Sequence, residues 1–117
     1  MEIVEDIINL DPNMRFVAII DQKGQIVESI MKSGKTSLKS QKEEEHFCQQ
    51  VLQRRKMRSD FDKTLGKVRY VHVEREKLTQ IVIYPKDFTI YFTLEPEISI
   101  DNKLKIMNKI KKMTSHL

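Results

Sequence analysis

An α+β domain is expected here. Its five-stranded antiparallel sheet is ordered 2-1-5-4-3 and layered with helices, in the succession α-β-β-α-β-β-β-α. Three features of the 117-residue sequence lead there. Apolar residues change period along the chain, from roughly 3.6 near the start to alternating or continuous in five short runs, then back to roughly 3.6 after Pro96. The links between the first two runs and among the last three are too short to join anything but antiparallel neighbours. The first and fifth runs are the most apolar, so they belong mid-sheet, where their pairing joins the two hairpins.

Ile3, Val4, Ile7, Ile8 and Leu10 give a helix over about residues 2–10, stopped by the turn chemistry of Asp11-Pro12-Asn13. Phe16-Val17-Ala18-Ile19-Ile20 is apolar on both faces, as a strand covered from two sides must be. Asp21-Gln22-Lys23-Gly24 turns the chain, with Gly24 free to take positive φ, and Gln25 to Ile30 returns as a more polar edge strand. Ser33 to Ser40 is small and polar. A long helical segment then begins near Leu38 to Gln41, with Ser40 and Glu43 spaced as a capping box and Phe47, Val51 and Leu52 as its apolar stripe.

This helix ends in a basic group, Arg54, Arg55, Lys56 and Arg58, which suits its dipole. A break is expected near Ser59, with Ser59 and Asp62 capping a further short turn through Leu65 and Gly66 ending it in a left-handed conformation. Strands follow at Val68 to Arg75, Leu78 to Tyr84 and Phe88 to Leu94, the last placing Phe88, Ile90, Phe92 and Leu94 on one face. A final helix starts near Ser99 to Asp101. Leu104, Ile106, Met107, Ile110 and Met113 form its apolar side, and Lys103, Lys105, Lys109, Lys111 and Lys112 its solvent side.

Composition bounds the function. The length fits one domain, residues 1–117, and 39% hydrophobic with 32% charged residues allows a modest core under a charged surface. No apolar run approaches the ~20 residues of a membrane helix, and Met1-Glu2-Ile3-Val4-Glu5-Asp6 is no signal sequence, so a cytoplasmic protein is expected. The lone Cys48 fits a reducing compartment. A net charge of +4 permits an acidic partner, protein or nucleic acid, without requiring one.

The hairpin Phe16-Val17-Ala18-Ile19-Ile20-Asp21-Gln22-Lys23-Gly24-Gln25-Ile26-Val27, within this order of elements, resembles the opening of roadblock-type domains. PAS-type sensor domains begin the same way and share the strand order, and profilins are a further likeness in topology. Thr36 to Cys48 and the ending Lys111-Lys112-Met113-Thr114-Ser115-His116-Leu117 resemble small uncharacterised archaeal proteins. The roadblock resemblance implies a non-catalytic scaffold, homodimeric, that binds another protein. The basic helix end and the helix break depart from the usual roadblock pattern. The PAS resemblance implies a small-ligand sensor with a pocket between sheet and helices.

No catalytic residue, cofactor or metal is expected. Ser29-Ile30-Met31-Lys32-Ser33-Gly34-Lys35-Thr36 ends like a phosphate-binding loop, but Ser29 stands where the first glycine must let backbone N–H groups converge on a phosphate. The stretch reads as a basic connector, with Lys35 and the next helix N-terminus as a weak anion site. His46 and Cys48, two apart on a helix, point about 200° apart and cannot grip one ion. Glu43 and His46 share a face, but two ligands do not close a site. Cys48 reads as a core residue, and His46, His72 and His116 fall in no nucleophile signature. This leaves Lys35, Arg54, Arg55, Lys56 and Arg58 as the candidate partner or anion surface. Tyr70, Tyr84 and Tyr91 would stack bases if they shared an open sheet face, which is the nucleic-acid alternative.

Overall fold

The computed structural model describes residues 3–117. Its elements are α1 (Ile3–Ile8), β1 (Met14–Ile20), β2 (Ile26–Met31), α2 (Gln41–Ser59), α3 (Asp62–Leu65), β3 (Val71–Glu74), β4 (Thr79–Ile83), β5 (Thr89–Leu94) and α4 (Ile100–Met113). The sheet is antiparallel throughout and runs β2-β1-β5-β4-β3, the expected order. The register Val17↔Phe92, Ala18↔Tyr91, Ile19↔Ile90 joins the two hairpins at the centre.

The unbroken apolar run of β1 sends alternate side chains to opposite cores, because successive strand residues point to opposite faces. Val17 and Ile19 join Ile81, Ile83, Ile90, Phe92 and Leu94 under α1 and α4, where Val4, Ile7, Ile106, Met107 and Ile110 complete the larger core. Ala18 and Ile20 face the other way, with Val82 and Tyr91, beneath Cys48 and Val51 of α2. The result is three layers, with α1 and α4 on one side of the sheet and α2 on the other. Gly24 closes the first hairpin at φ +82, a conformation that other residues rarely adopt, beside the end of the flexible Gln49 side chain of α2.

Several boundaries differ from expectation. Residue 2 of the first expected helix lies outside the described residues, and α1 ends at Ile8, two residues early, with Leu10 N–H bonded to Ile7 C=O in a tight turn at 3.1 Å. The third strand is shorter than Val68–Arg75, because only Val71 to Glu74 find partners on β4. The helix does break after Ser59, but neither Ser59 nor Asp62 caps the next turn. Ser59 Oγ donates back to Lys56 C=O at 2.6 Å, and the cap position is Phe61, which has no side-chain acceptor to offer. Gly66 takes φ 84 with ψ 166, an extended glycine conformation rather than a left-handed helical one.

The larger correction concerns Lys103. Expected on the solvent side of α4, it is instead 2% exposed, with Nζ donating to both Glu74 carboxylate oxygens at 2.9 and 3.0 Å and to Pro96 C=O at 3.1 Å. Its stem lies along the core and its charge ends on β3, so α4 is fastened to the far edge of the sheet by an ion pair.

Candidate functional site

α2 is a 19-residue helix of mostly polar residues, and its single buried ridge, Cys48, Val51 and Leu52, decides which way it turns. Ser40 starts it: its Oγ accepts from Glu43 N–H at 3.2 Å while the Glu43 carboxylate accepts from Ser40 N–H at 3.1 Å, the reciprocal box expected from their spacing. These bonds hold the Glu43 carboxyl below the usual carboxylate range, with the Ser40 backbone contact as the largest cause. They satisfy the Ser40 and Glu43 N–H groups at the helix N-terminus.

Beneath α2 lies a line of polar contacts centred on Tyr91. Arg75 Nε donates to Gln80 Oε1 at 2.7 Å, and Gln80 Nε2 donates to Tyr91 Oη at 3.1 Å. Lys39 Nζ donates to the same phenol at 3.3 Å and pairs with Glu44 at 3.2 Å. That ammonium also sits 4.3 Å from the Phe47 ring centre, and Phe47 stacks on Tyr91 at 4.8 Å. Burial pushes the Tyr91 phenol well above its ordinary value. Burial first, and Glu44 second, push the Cys48 thiol up to about 12. Cys48 is fully buried in the core beside Val51 and Tyr91.

Open grooves flank α2, one of about 940 Å³ against β2 from Gly24 to Ser29 and another of about 780 Å³ against Glu74 to Leu78, and a smaller cavity of about 140 Å³ lies between α2 and the sheet beside Phe47, Val51, Val71 and Val82.

The structure separates the five candidate cations. Lys35 pairs with Glu95 at 2.7 Å, and Arg15 reaches the same carboxylate at 2.8 Å and Thr36 C=O at 3.1 Å, so the loop after β2 is strapped to the sheet. Glu95 is held low, chiefly by the hydrogen bond from Lys35. Arg55 donates to Pro85 C=O at 2.5 Å, Phe88 C=O at 2.7 Å and Thr89 Oγ1 at 2.9 Å, with its plane 4.8 Å from the Tyr84 ring centre. Arg58 donates to Tyr84 Oη at 2.8 Å. These two arginines therefore anchor α2 to the β4–β5 connection. Arg54 and Lys56 remain exposed.

The three tyrosines do not form a stacking platform. Tyr91 is fully buried, Tyr84 lies under Arg55 and Arg58, and Tyr70 precedes β3. His46 is exposed while Cys48 faces the core, and no group of three His, Cys, Asp or Glu side chains suited to a metal occurs among the described residues.

Sequence reasoning missed the cluster at the end of β3. Glu74 takes the Lys103 ammonium, His72 Nε2 at 2.6 Å and Thr79 Oγ1 at 3.0 Å. Desolvation alone would raise its pKa, but the bonds from Lys103, His72 and Thr79 outweigh it and hold Glu74 at about 2. Glu74 and Thr79 face each other across the hairpin register, a signal present in the sequence; Lys103, 29 residues from Glu74, carried none.

Other proteins share this geometry. The gliding protein mglB of Thermus thermophilus superposes with a TM-score of 0.80 at 10% identity, covering 98% of this chain and 84% of its own. A roadblock/LC7 domain of Streptomyces avermitilis gives 0.70 at 12% identity, covering 93% and 88%. The profilin of Schizosaccharomyces pombe gives 0.66 at 12% identity, covering 95% and 92%. No curated protein matches the sequence significantly. No helix among the described residues is long and apolar enough to cross a membrane. Residues 2–116 match the family described as a family of unknown function (DUF6659), so the chain belongs to that family, on the fold it has in common with roadblock domains and profilins.

Proposed function

We propose that the protein is a non-catalytic interaction module that forms a homodimer through α2 and the β3 edge and, so assembled, holds another protein. The observation that carries this reading is the charge pattern of α2. Glu43 and Glu45 are exposed in its first turns, Arg54 and Lys56 in its last, and the glutamines Gln49 and Gln53 lie exposed between them. The two charged groups stand at nearly equal distances from the helix midpoint. Two copies of α2 related by a two-fold axis and laid antiparallel set acid against base at both ends.

The neighbouring β3 adds an edge with unpaired backbone groups, flanked by the exposed Tyr70 and Val73. Of the five candidate cations, Arg54 lies on the flank of α2 toward β3 and Lys56 on the other flank, toward Asp21 and Gln22, while Lys35, Arg55 and Arg58 hold the shape of the surface. Assembly also has precedent on this fold: an mglB structure 11% identical to this chain is described with a tetrameric arrangement.

Light scattering across micromolar concentrations tests the reading. A mass near twice 13.9 kDa, falling as salt rises, is expected. A strictly monomeric chain at all concentrations contradicts it.

A further inference from the structure

The net charge of the protein is unevenly placed. Between Arg54 and Arg69 seven Lys and Arg stand against two Asp, a net +5, against +4 for the whole chain, so the remainder is slightly acidic. The same segment exposes three large apolar side chains at four-residue steps: Met57 at 68%, Phe61 at 60% and Leu65 at 79%. α3 buries none of its residues, and a β-carbon built at Gly66 meets nothing within 4 Å. Among the described residues no hydrogen bond or ion pair engages Lys63, Lys67 or Arg69, all of them exposed. Phe61 and Leu65 thus stand on a projecting turn, ringed by cations that serve nothing inside the fold.

We propose that this turn is a peripheral docking site for an anionic lipid surface, with Phe61 and Leu65 entering the headgroup boundary while Lys63, Lys67 and Arg69 meet lipid phosphates and carboxylates. Apolar side chains backed by cations supply the two forces that interfacial binding requires, and each cation near an anionic leaflet adds to the attraction. A second copy is a poor occupant, since a two-fold contact would lay +5 on +5. A projecting turn that buries nothing of its own also lacks the concave wall that a partner helix would fill, whereas a flat bilayer asks for projection.

Co-sedimentation of the full chain with phosphatidylcholine vesicles, with and without phosphatidylserine, tests this. Binding is expected only with phosphatidylserine, and it should weaken as salt rises. Phe61→Ser with Leu65→Ser, and separately Lys63→Glu with Lys67→Glu, should each lower the partition at least about tenfold, which corresponds to about 1.4 kcal/mol. Ile100→Ser removes an equally exposed apolar side chain at the start of α4 and should leave binding unchanged. Thermal unfolding of each variant should match the parent, because the side chains altered are exposed.

Absence of binding to phosphatidylserine vesicles at low salt overturns the proposal. So does equal binding to uncharged vesicles, or an Ile100→Ser effect as large as that of Phe61 and Leu65. Binding of duplex DNA or an acidic helical peptide through Phe61 and Leu65, without vesicle binding, reassigns the patch and likewise overturns it. Vesicle binding by a chain that stays monomeric leaves this site standing and removes only the homodimer.

Discussion

Glu74→Ala should destabilise the protein more than Lys103→Met, although Glu74 is the more exposed partner. Lys103 is 2% exposed and, among the described residues, its charge is neutralised by Glu74 alone, while the Glu74 side chain retains 46% of its accessible surface. Removing Glu74 strands a buried ammonium with Pro96 C=O as its remaining partner, a change that typically costs about 3–5 kcal/mol. Replacing Lys103 by methionine keeps most of the buried stem, and the freed carboxylate turns to water. The loss then comes mainly from Pro96 C=O and the hydrogen bonds to Glu74, about 1–2 kcal/mol. At about 4 °C per kcal/mol for a chain of this size, the melting temperatures should fall by about 12–20 °C and about 4–8 °C.

Urea denaturation of both variants at neutral pH reads the two losses. Equal losses for the two variants would refute the clamp.

Acid should act through the same carboxylate in the parent protein. Glu74 is held at about 2 against an ordinary 4.5, so its stabilisation is complete above about 4.5 and is lost as pH falls toward 2; Lys103→Met should flatten that part of the stability profile measured by denaturant titration. Tyr91→Phe removes the acceptor shared by Gln80 and Lys39 and leaves a buried amide donor unmet, for a loss of about 1–3 kcal/mol in urea unfolding. Arg55→Ala strips a donor from Pro85, Phe88 and Thr89 and should cost about 2 kcal/mol, whereas Lys56→Ala beside it should stay within about 0.5 kcal/mol by thermal melts.

The strand order was legible because each local choice points the same way: the double-faced apolar run of β1, the alternation Ile90, Phe92, Leu94 in β5, and short links that admit no crossover. Ser40 and Glu43 were legible for the same reason, since a capping box is decided by four adjacent residues. Long cations escaped this logic. Arg55, Arg58 and Lys103 look like solvent-facing charges by type, and only the fold reveals that their stems reach Phe88, Tyr84 and Glu74, 26 to 33 residues away. In the fold the five cations therefore do not form one continuous patch. The apolar exposure at Met57, Phe61 and Leu65 was not read from the sequence, because only the fold shows that α3 buries none of its residues.

Mixing two charge-reversed proteins tests the central reading most directly. Glu45→Lys gives like charges at both ends of an antiparallel α2 pair, and Lys56→Glu does the same with the opposite sign. Sedimentation equilibrium should find each variant weakened in self-association relative to the parent, and their equimolar mixture restored to a dimer, because acid then meets base at both contacts. Monomers in the mixture, or parent-like dimers from either variant alone, would contradict assembly through α2.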